Sequence, residues 1–384
     1  MQNNRRRWHW PASAALAVAA LAALTACSSG STDSGSAASA VSSAGKLGTA
    51  PETTSLSMPA TAVSAADGPL EFTVANGFFT KKGLNVTVPL SAEAEVKDAV
   101  AAGSAPLDDL AGSDVLDLYA KGQGVETVGC TSASNGFYVY VKKGVTLSSL
   151  AGATVGVPSL DGAPQFAMDY FSGSHGTNPS KLTFTPLGSI PSVLAALESG
   201  RIDIALLSTP FNLKAAAAGF TDLGYAVGPP TPYVVNKSWA AKNSGTITSW
   251  IEAFDEGTWD YLTHKSAAEA ELATFLKLNP DNAADAKTLA ASWSNYLPPV
   301  TEPLGECRAS SFAPYVKYFP ASEQAALKNL GSLVDNQYIE QLWKSGFYST
   351  LQSQYGAIPG LTLRQVALAQ PALADKDGKP AAAS

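Results

Sequence analysis

Ser208, Thr209 and Pro210 close the stretch SGRIDIALLSTPF (199–211), in which a charged start runs through mostly apolar residues into two hydroxyls and a proline. A hydroxyl placed there has three uses: it caps a helix, it hydrogen-bonds a ligand, or, activated by a base, it attacks an electrophile. The third use lacks partners, because the three histidines, His9, His175 and His264, are scattered along the chain. The same scatter argues against a His-based zinc site or a catalytic triad, and no spacing of the cysteines suggests a metal. Binding is the use that these residues fit.

The elements that must hold them follow from periodicity. From Thr53 to about Gly245 short apolar runs alternate with helical patterns, the mark of βαβ units and a mostly parallel sheet. Strands are predicted near 54–58, 84–90, 106–111, 125–129, 136–142, 153–157, 182–186 and 202–207. Helices are predicted at about 68–82, 93–102, 113–121, 162–172, 190–199 and 210–218, with Gly103 and Gly200 at helix C-caps. Beyond Gly245 the pattern is helical almost without strands, over roughly 266–278, 281–296, 321–334 and 336–354, ending in a frayed tail. There Ser249-Trp-Ile-Glu252 reads as a capping box, and Asn279-Pro280 as a cap followed by a first-turn proline.

The chain also echoes itself. VKDAVAAGSAPLDDLAGSD, from Val96, and VLAALESGRIDIALLSTP, from Val193, share the order helix, glycine, strand, hydroxyl. The spacing from Val96 to Gly103 equals that from Val193 to Gly200, and Asp108 stands as far from Ser113 as Asp203 from Ser208. Binding loops gather at the carboxyl ends of parallel strands, so two such half-sheets facing each other bring Ser113 and Ser208 to opposite walls of one cleft. Pro210 would then open the next helix with Thr209 as its cap, leaving Ser208 to face a solute.

Composition sets the frame. The 384 residues are 46% hydrophobic and 15% charged, enough for a large core in two or so domains. A formal net charge of -7, with few arginines beyond the N-terminus, leaves no basic field for a nucleic-acid backbone. Arg5, Arg6 and Arg7 precede an apolar run from Ala12 to Leu24 that is too short to span a bilayer. The run ends in Leu24-Thr25-Ala26-Cys27, which resembles the bacterial lipobox. That resemblance implies cleavage before Cys27, a diacylglyceryl group on its thiol, and an extracytoplasmic protein anchored at the outer face of the plasma membrane. The alternative is an ordinary secretory signal with a chance cysteine. The Ser/Ala/Gly tract that follows reads as a flexible tether. Lipidation of Cys27 leaves Cys130 and Cys307 in an oxidising compartment, either as a disulfide or as two separate buried thiols.

Four segments, PLEFTVANGFFTKKGLNVTV (69–88), LSSLAGATVGVPSLDG (147–162), LAALESGRIDIALLSTPFNLKAAAAGF (194–220) and ALKNLGSLVDNQYIE (326–340), carry a family resemblance in their order and spacing. They resemble the ABC transporter solute-binding proteins of the nitrate/sulfonate/taurine and thiamine-pyrimidine type. The resemblance implies a type II periplasmic-binding-protein fold, two α/β lobes with a ligand cleft between them and the C-terminal helices packed on lobe 1. It implies a signal peptide over 1–26, a tether over 27–52, lobe 1 over 53–138 and 240–360, lobe 2 over 139–239 and a tail over 361–384. FYVYVKKG (137–144) and TPYVVNKSW (231–239) are then the crossovers, and Cys130 and Cys307 share lobe 1. The implied function is capture of a small molecule for an ABC permease, with no catalysis and no cofactor.

Carried over by position from the family, the ligand-binding candidates are Ser57, Met58, Ser91, Ser113, Asp114, Ser134, Asn135, Ser159, Asp161, Gly162, Ser208, Thr209 and Pro210. The polar ones among them are equally good helix caps and turn residues. After the signal only Arg201, Arg308 and Arg364 remain, so these loops lack the bidentate clamp that a sulfonate or phosphate usually receives. Asp114 and Asp161 permit a neutral or amine-bearing ligand, helix N-termini and hydroxyls a small anion. Tyr138, Phe166, Phe211 or Tyr233 suit an aromatic one. Two other functions occur to the same fold: an enzyme of pyrimidine or chorismate type, which the export signal argues against, and a surface lipoprotein for sensing or protein contact.

Overall fold

The computed structural model describes residues 46–359 except 61–62, 92, 133–134 and 297–299. Cys27, Ser134, Arg364, the signal and most of the tether lie outside the described residues.

Among the described residues there are eleven strands: β1 (Ser55–Ser57), β2 (Asn85–Thr87), β3 (Leu107–Asp109), β4 (Val125–Ser132), β5 (Asn135–Val141), β6 (Thr154–Val157), β7 (Thr183–Pro186), β8 (Ile204–Leu207), β9 (Thr221–Gly228), β10 (Thr231–Asn236) and β11 (Val300–Gly305). They form a β1-β2 pair, a four-stranded sheet in the order β11-β4-β10-β3, and a five-stranded sheet in the order β7-β6-β8-β5-β9. Each of the two larger sheets is the centre of one lobe. The sheets are mixed rather than mostly parallel: β6 runs parallel to β7 and β8, but β5 is antiparallel to β8 and β9, and β10 is antiparallel to β3 and β4. The reason is that the chain enters and leaves lobe 2 along strands, not along helices.

The chain quits the first sheet after Ser132 and rejoins it at Thr231, which stands opposite Ser132, while the Asn135 amide donates to the Pro229 carbonyl at 2.9 Å. The two passages between lobes are therefore neighbours. They also shift the predicted lobe boundaries. Residues 135–138 already pair within the lobe 2 sheet, and 231–236 pair within the lobe 1 sheet. Strands flank both passages closely, so a strand pattern alone does not mark where one sheet ends and the other begins.

Lobe 1 is built around the helix Ser244–Thr263. Its Trp250 and Phe254 stack at 5.1 Å, and Tyr233 of β10 meets both edge-on at 4.8 and 5.4 Å. This helix begins five residues before the predicted capping box. Its first turn is closed by Glu52, whose carboxylate accepts from the Gly245 and Thr246 amides at 3.1 and 2.8 Å, so Ser249 and Glu252 lie inside the helix. The carboxylate is 193 and 194 residues from those amides in sequence, beyond the reach of a local motif. Likewise the helix Ala283–Tyr296 is capped by Asn282, which accepts from Ala284 and Asp285 amides, and not by Asn279. The predicted 336–354 helix is two, Gln337–Ser345 and Phe347–Tyr355, parted at Gly346, whose φ of +79° only glycine adopts readily.

In the internal echo, the helices Glu93–Ala102 and Ile190–Glu198 both end before a left-handed glycine, Gly103 (φ +78°) and Gly200 (φ +73°), and both feed a short strand, β3 and β8. Cys130 of β4 and Cys307, just past β11, are bonded, with S–S 2.07 Å, and both side chains are buried. At the back of the lobes, the lobe 2 helix Ala163–Ser174 rests on the turn Ala313–Tyr318: Phe166 stacks on Phe319 at 4.6 Å, and the Tyr315 hydroxyl donates to the Val227 carbonyl at 3.1 Å.

Candidate functional site

A cavity of about 900 Å³ opens between the lobes. Its lobe 1 wall is carried by the turn before the helix Gly68–Ala75 and by the end of β3. Asp67 occupies the cap position of that helix, yet its side chain makes no cap bond; it accepts instead from the Ser64 backbone amide and lines the cavity. Asp108 and Asp109 end β3 beside it, and Asp114 follows from the first turn of the helix Gly112–Ala120. The lobe 2 wall is supplied by Phe137 and Tyr138 of β5, Ser159 after β6, Ser189 to Pro191 at a helix start, Ser208 and Thr209 after β8, and Tyr225 and Val227 of β9.

The lobe 1 wall is acidic. Burial, then the neighbouring Asp109 and Glu71, pushes Asp67 well above the usual carboxylate range. Burial, then Asp109 and Asp67, does the same to Asp108, and burial lifts Asp109 to about 7. Asp67 and Asp109 line the cavity and are half-buried. Asp108 is 2% exposed: Oδ1 accepts from the Asp109 amide at 2.9 Å and Oδ2 has no partner. Two further buried atoms of the lining, Thr131 Oγ1 and Ser292 Oγ, also lack partners. A buried polar atom without a bond costs free energy unless something else supplies one. Lys97 brings a positive charge to the lining, but it sits 3.6 Å from both Asp114 and Asp117.

The lobe 2 wall is aromatic. The Tyr138 and Tyr225 rings meet edge to face at 5.1 Å, and Tyr225, 41% exposed, faces the cleft. Burial, then Tyr138, raises the Tyr225 hydroxyl to about 12. Among the described residues no arginine or histidine lines the cavity, and no three His, Cys, Asp or Glu side chains are grouped to hold a metal.

Of the predicted site residues, Met58, Asp114, Asn135, Ser159, Ser208 and Thr209 line this cavity. The rest of the described ones do not. Ser113 is wholly buried in the helix Gly112–Ala120, because β3 stops at Asp109 and not at 111; the wall opposite Ser208 is thus carboxylate, not hydroxyl. Ser57 stays within β1, and Ser91, whose amide donates to the Ala60 carbonyl at 3.0 Å, is not among the lining residues. Asp161 takes a left-handed φ of +59° outside the cleft, and Gly162 is the extended cap of the helix Ala163–Ser174. Pro210 follows Thr209 through a cis bond and precedes the helix Phe211–Ala217 instead of opening it; the Ser208 carbonyl accepts from the Phe211 and Asn212 amides. Among the aromatic candidates Tyr138 and Phe211 reach the cavity, whereas Phe166 and Tyr233 are core, the latter donating to buried Asp255 at 3.2 Å. Sequence reading missed Asp67, Asp108, Asp109 and Tyr225 as site residues. The adjacent carboxylates of Leu107-Asp108-Asp109-Leu110 were the available signal, since two acids in an otherwise apolar strand need a reason.

A shallower depression of about 700 Å³ lies between the helix Ala163–Ser174 and Lys317 with Tyr318. It includes Asp169, which burial and then Asp161 lift to about 7, but no strand end or helix start of lobe 1 reaches it. The interlobe cavity is the place where both halves of the fold converge.

Two α/β lobes closing on such a cleft define the periplasmic-binding-protein fold. It is shared with the periplasmic nitrate-binding protein NrtA from Synechocystis PCC 6803, 13% identical, over 81% of this chain and 92% of that one at a TM-score of 0.61. The alkanesulfonate-binding protein SsuA from Xanthomonas axonopodis pv. citri, bound to MOPS, is 16% identical over 74% of this chain and 99% of that one, at a TM-score of 0.59. The aliphatic sulphonate binding protein SsuA from Escherichia coli is also 16% identical, over 76% and 92%, at a TM-score of 0.55. This chain belongs to the NMT1/THI5-like family, whose family model matches residues 69–268. No curated protein matches it. Among the described residues no helix is long and apolar enough to cross a membrane.

Proposed function

We propose that this protein captures a small solute between its lobes outside the cytoplasm and hands it to an ABC-type permease, without transforming it. The observation that carries the reading is the cavity itself, whose walls come from both of two lobes between which the chain passes at two adjacent places. Such a joint permits one lobe to rotate against the other, so a ligand touching both walls favours the closed arrangement. Family membership and the fold shared with nitrate- and sulfonate-binding proteins support the same role. Cleft hydroxyls such as Ser208 have no histidine beside them to act as base, which favours binding over turnover. On this reading Cys27 carries the lipid that keeps the protein beside its permease.

Small-angle scattering and thermal melting of the purified chain, across a solute panel of cations, neutral compounds and anions, test the proposal. A bound solute should raise the melting temperature and reduce the radius of gyration. A chain that neither compacts nor stabilises with any solute, or that converts one to product, would refute it. Mass spectrometry of the detergent-extracted protein tests the anchor: a diacylglyceryl adduct on an N-terminal Cys27 is expected, and an unmodified or uncleaved N-terminus would remove it.

A further inference from the structure

We infer that the solute of this cleft is an organic cation, a protonated or quaternary amine on an apolar or aromatic body; the inference rests on the capture reading above. Its first support is the lobe 1 wall, where Asp67, Asp108 and Asp109 all belong to the cavity lining and, after burial, Asp109 raises the carboxyls of the other two. The second is independent of the acids' number: Asp108 belongs to the cavity lining, is 2% exposed, and its buried Oδ2 has no hydrogen-bond partner. A group so placed awaits a donor. The third lies across the cleft, where the Tyr138 and Tyr225 rings offer π faces that attract an ammonium.

Competing chemistries fit less well. A nitrate or sulfonate seated here would meet three carboxylates and no arginine, while Lys97 is occupied with Asp114 and Asp117. A bare metal ion is disfavoured, since among the described residues no three acidic, His or Cys side chains are grouped to share one. The cavity, about 900 Å³, is the size of an organic molecule and not of an ion. Burial raises all three carboxyls, Asp109 to about 7, so near neutral pH protons are held on this wall, Asp109 itself being partly protonated. An entering ammonium takes the place of those protons, so binding releases them to solvent and exchanges one compensating charge for another.

Matched probes test this on the purified chain by calorimetry at pH 8: phenethylammonium and benzyltrimethylammonium against phenethyl alcohol, benzenesulfonate and nitrate. Both ammonium probes should bind at least about ten-fold tighter than the alcohol, about 1.4 kcal/mol, and the anions should not bind. Asp108→Asn and Asp109→Asn together should abolish that preference while leaving the melting temperature equal or higher, because each removes a buried charge and keeps the shape. Equal or tighter binding of the alcohol or of either anion, no binding of the ammonium probes, or an unchanged preference in the double variant would each overturn the inference. None of these results touches the capture reading, which fails if no solute of the broader panel compacts or stabilises the chain, or if one is converted to product.

Discussion

Gly112 and Pro230 touch so closely that a β-carbon on Gly112 would stand 2.4 Å from the Pro230 carbonyl oxygen and 2.8 Å from Pro229 Cβ. The contact joins the helix Gly112–Ala120, which presents Asp114 to the cleft, to the passage by which the chain returns from lobe 2. Gly112→Ala should therefore force backbone apart where the lobes turn on one another, since a carbonyl oxygen cannot swing aside as a side-chain tip can. We expect a loss of about 1–3 kcal/mol in stability and weakened solute binding, read by denaturant melts and calorimetry. Unchanged values for both would show that the two segments do not constrain each other.

The helix Ser244–Thr263 offers a choice between two caps. Glu52→Ala should cost about 1–2 kcal/mol, because its carboxylate serves the Gly245 and Thr246 amides and the Thr246 hydroxyl. Those bonds hold the Glu52 carboxyl below its ordinary range, against the opposing effect of burial, so its contribution is present above the unfolded pKa and lost as pH falls below it. Chemical denaturation at pH 7 of Glu52→Ala beside Ser249→Ala separates the two readings. A Ser249 effect as large as that of Glu52 would restore the capping box.

Stability of the empty protein should fall as pH rises from 5 to 8. Asp109, Asp169 and Asp255 are each raised to about 7, mainly by burial, Asp255 despite the Tyr348 and Tyr233 hydroxyls that donate to it at 2.6 and 3.2 Å. Raised folded-state values mean that the native state holds more protons than the unfolded chain, so stability drops between the unfolded carboxylate range and about 7 and levels off above it. Differential scanning calorimetry should show a decrease on the order of 5 °C over this interval. Amine affinity should move the other way, rising with pH, because Asp109, faced by Asp67 and Asp108 and with Lys97 and Asp114 also in the lining, gains charge over the same range. A rising stability curve, or amine affinity that falls with pH, would contradict the placement of these acids.

Reduction of Cys130–Cys307 should weaken the fold without altering recognition. The bond joins residues 177 apart, and closing so long a loop stabilises by about 2–5 kcal/mol. Cys130→Ser with Cys307→Ser should melt lower and bind solute as before. Loss of binding at a temperature where the variant is fully folded would mean that the bridge shapes the cleft.

The helices and strands that feed the cleft were largely readable from residue types. Glu93–Ala102 and Ile190–Glu198 fall where apolar spacing and Gly103 and Gly200 put them, because both signals are local. β9, Thr221–Gly228, escaped notice: it is an edge strand with exposed Thr221, Asp222, Tyr225 and Val227, so nothing in its hydropathy asks for a sheet. The lobe 1 wall was hidden for other reasons. Asp67 in Asp-Gly-Pro has every mark of a helix cap, and only its missing cap bond shows that the carboxylate is turned to the cleft. Asp108 and Asp109 were placed within a strand predicted to reach 111; ending it two residues earlier moves the wall from Ser113 to the acids. One residue or two of strand length decides the sign of charge that a solute meets.

The pairing of Ser132 with Thr231, and the bond from Asn135 to Pro229, mean that lobe 2 leaves and rejoins its partner at one spot. In terms of threading, lobe 2 is a single uninterrupted insertion, whereas lobe 1 is assembled from both ends of the described chain. The aromatic wall can therefore be exchanged as one contiguous cassette while the acidic wall stays in place. A chain threaded this way can change its aromatic wall by exchange of one segment, while Asp67, Asp108 and Asp109 stay with lobe 1.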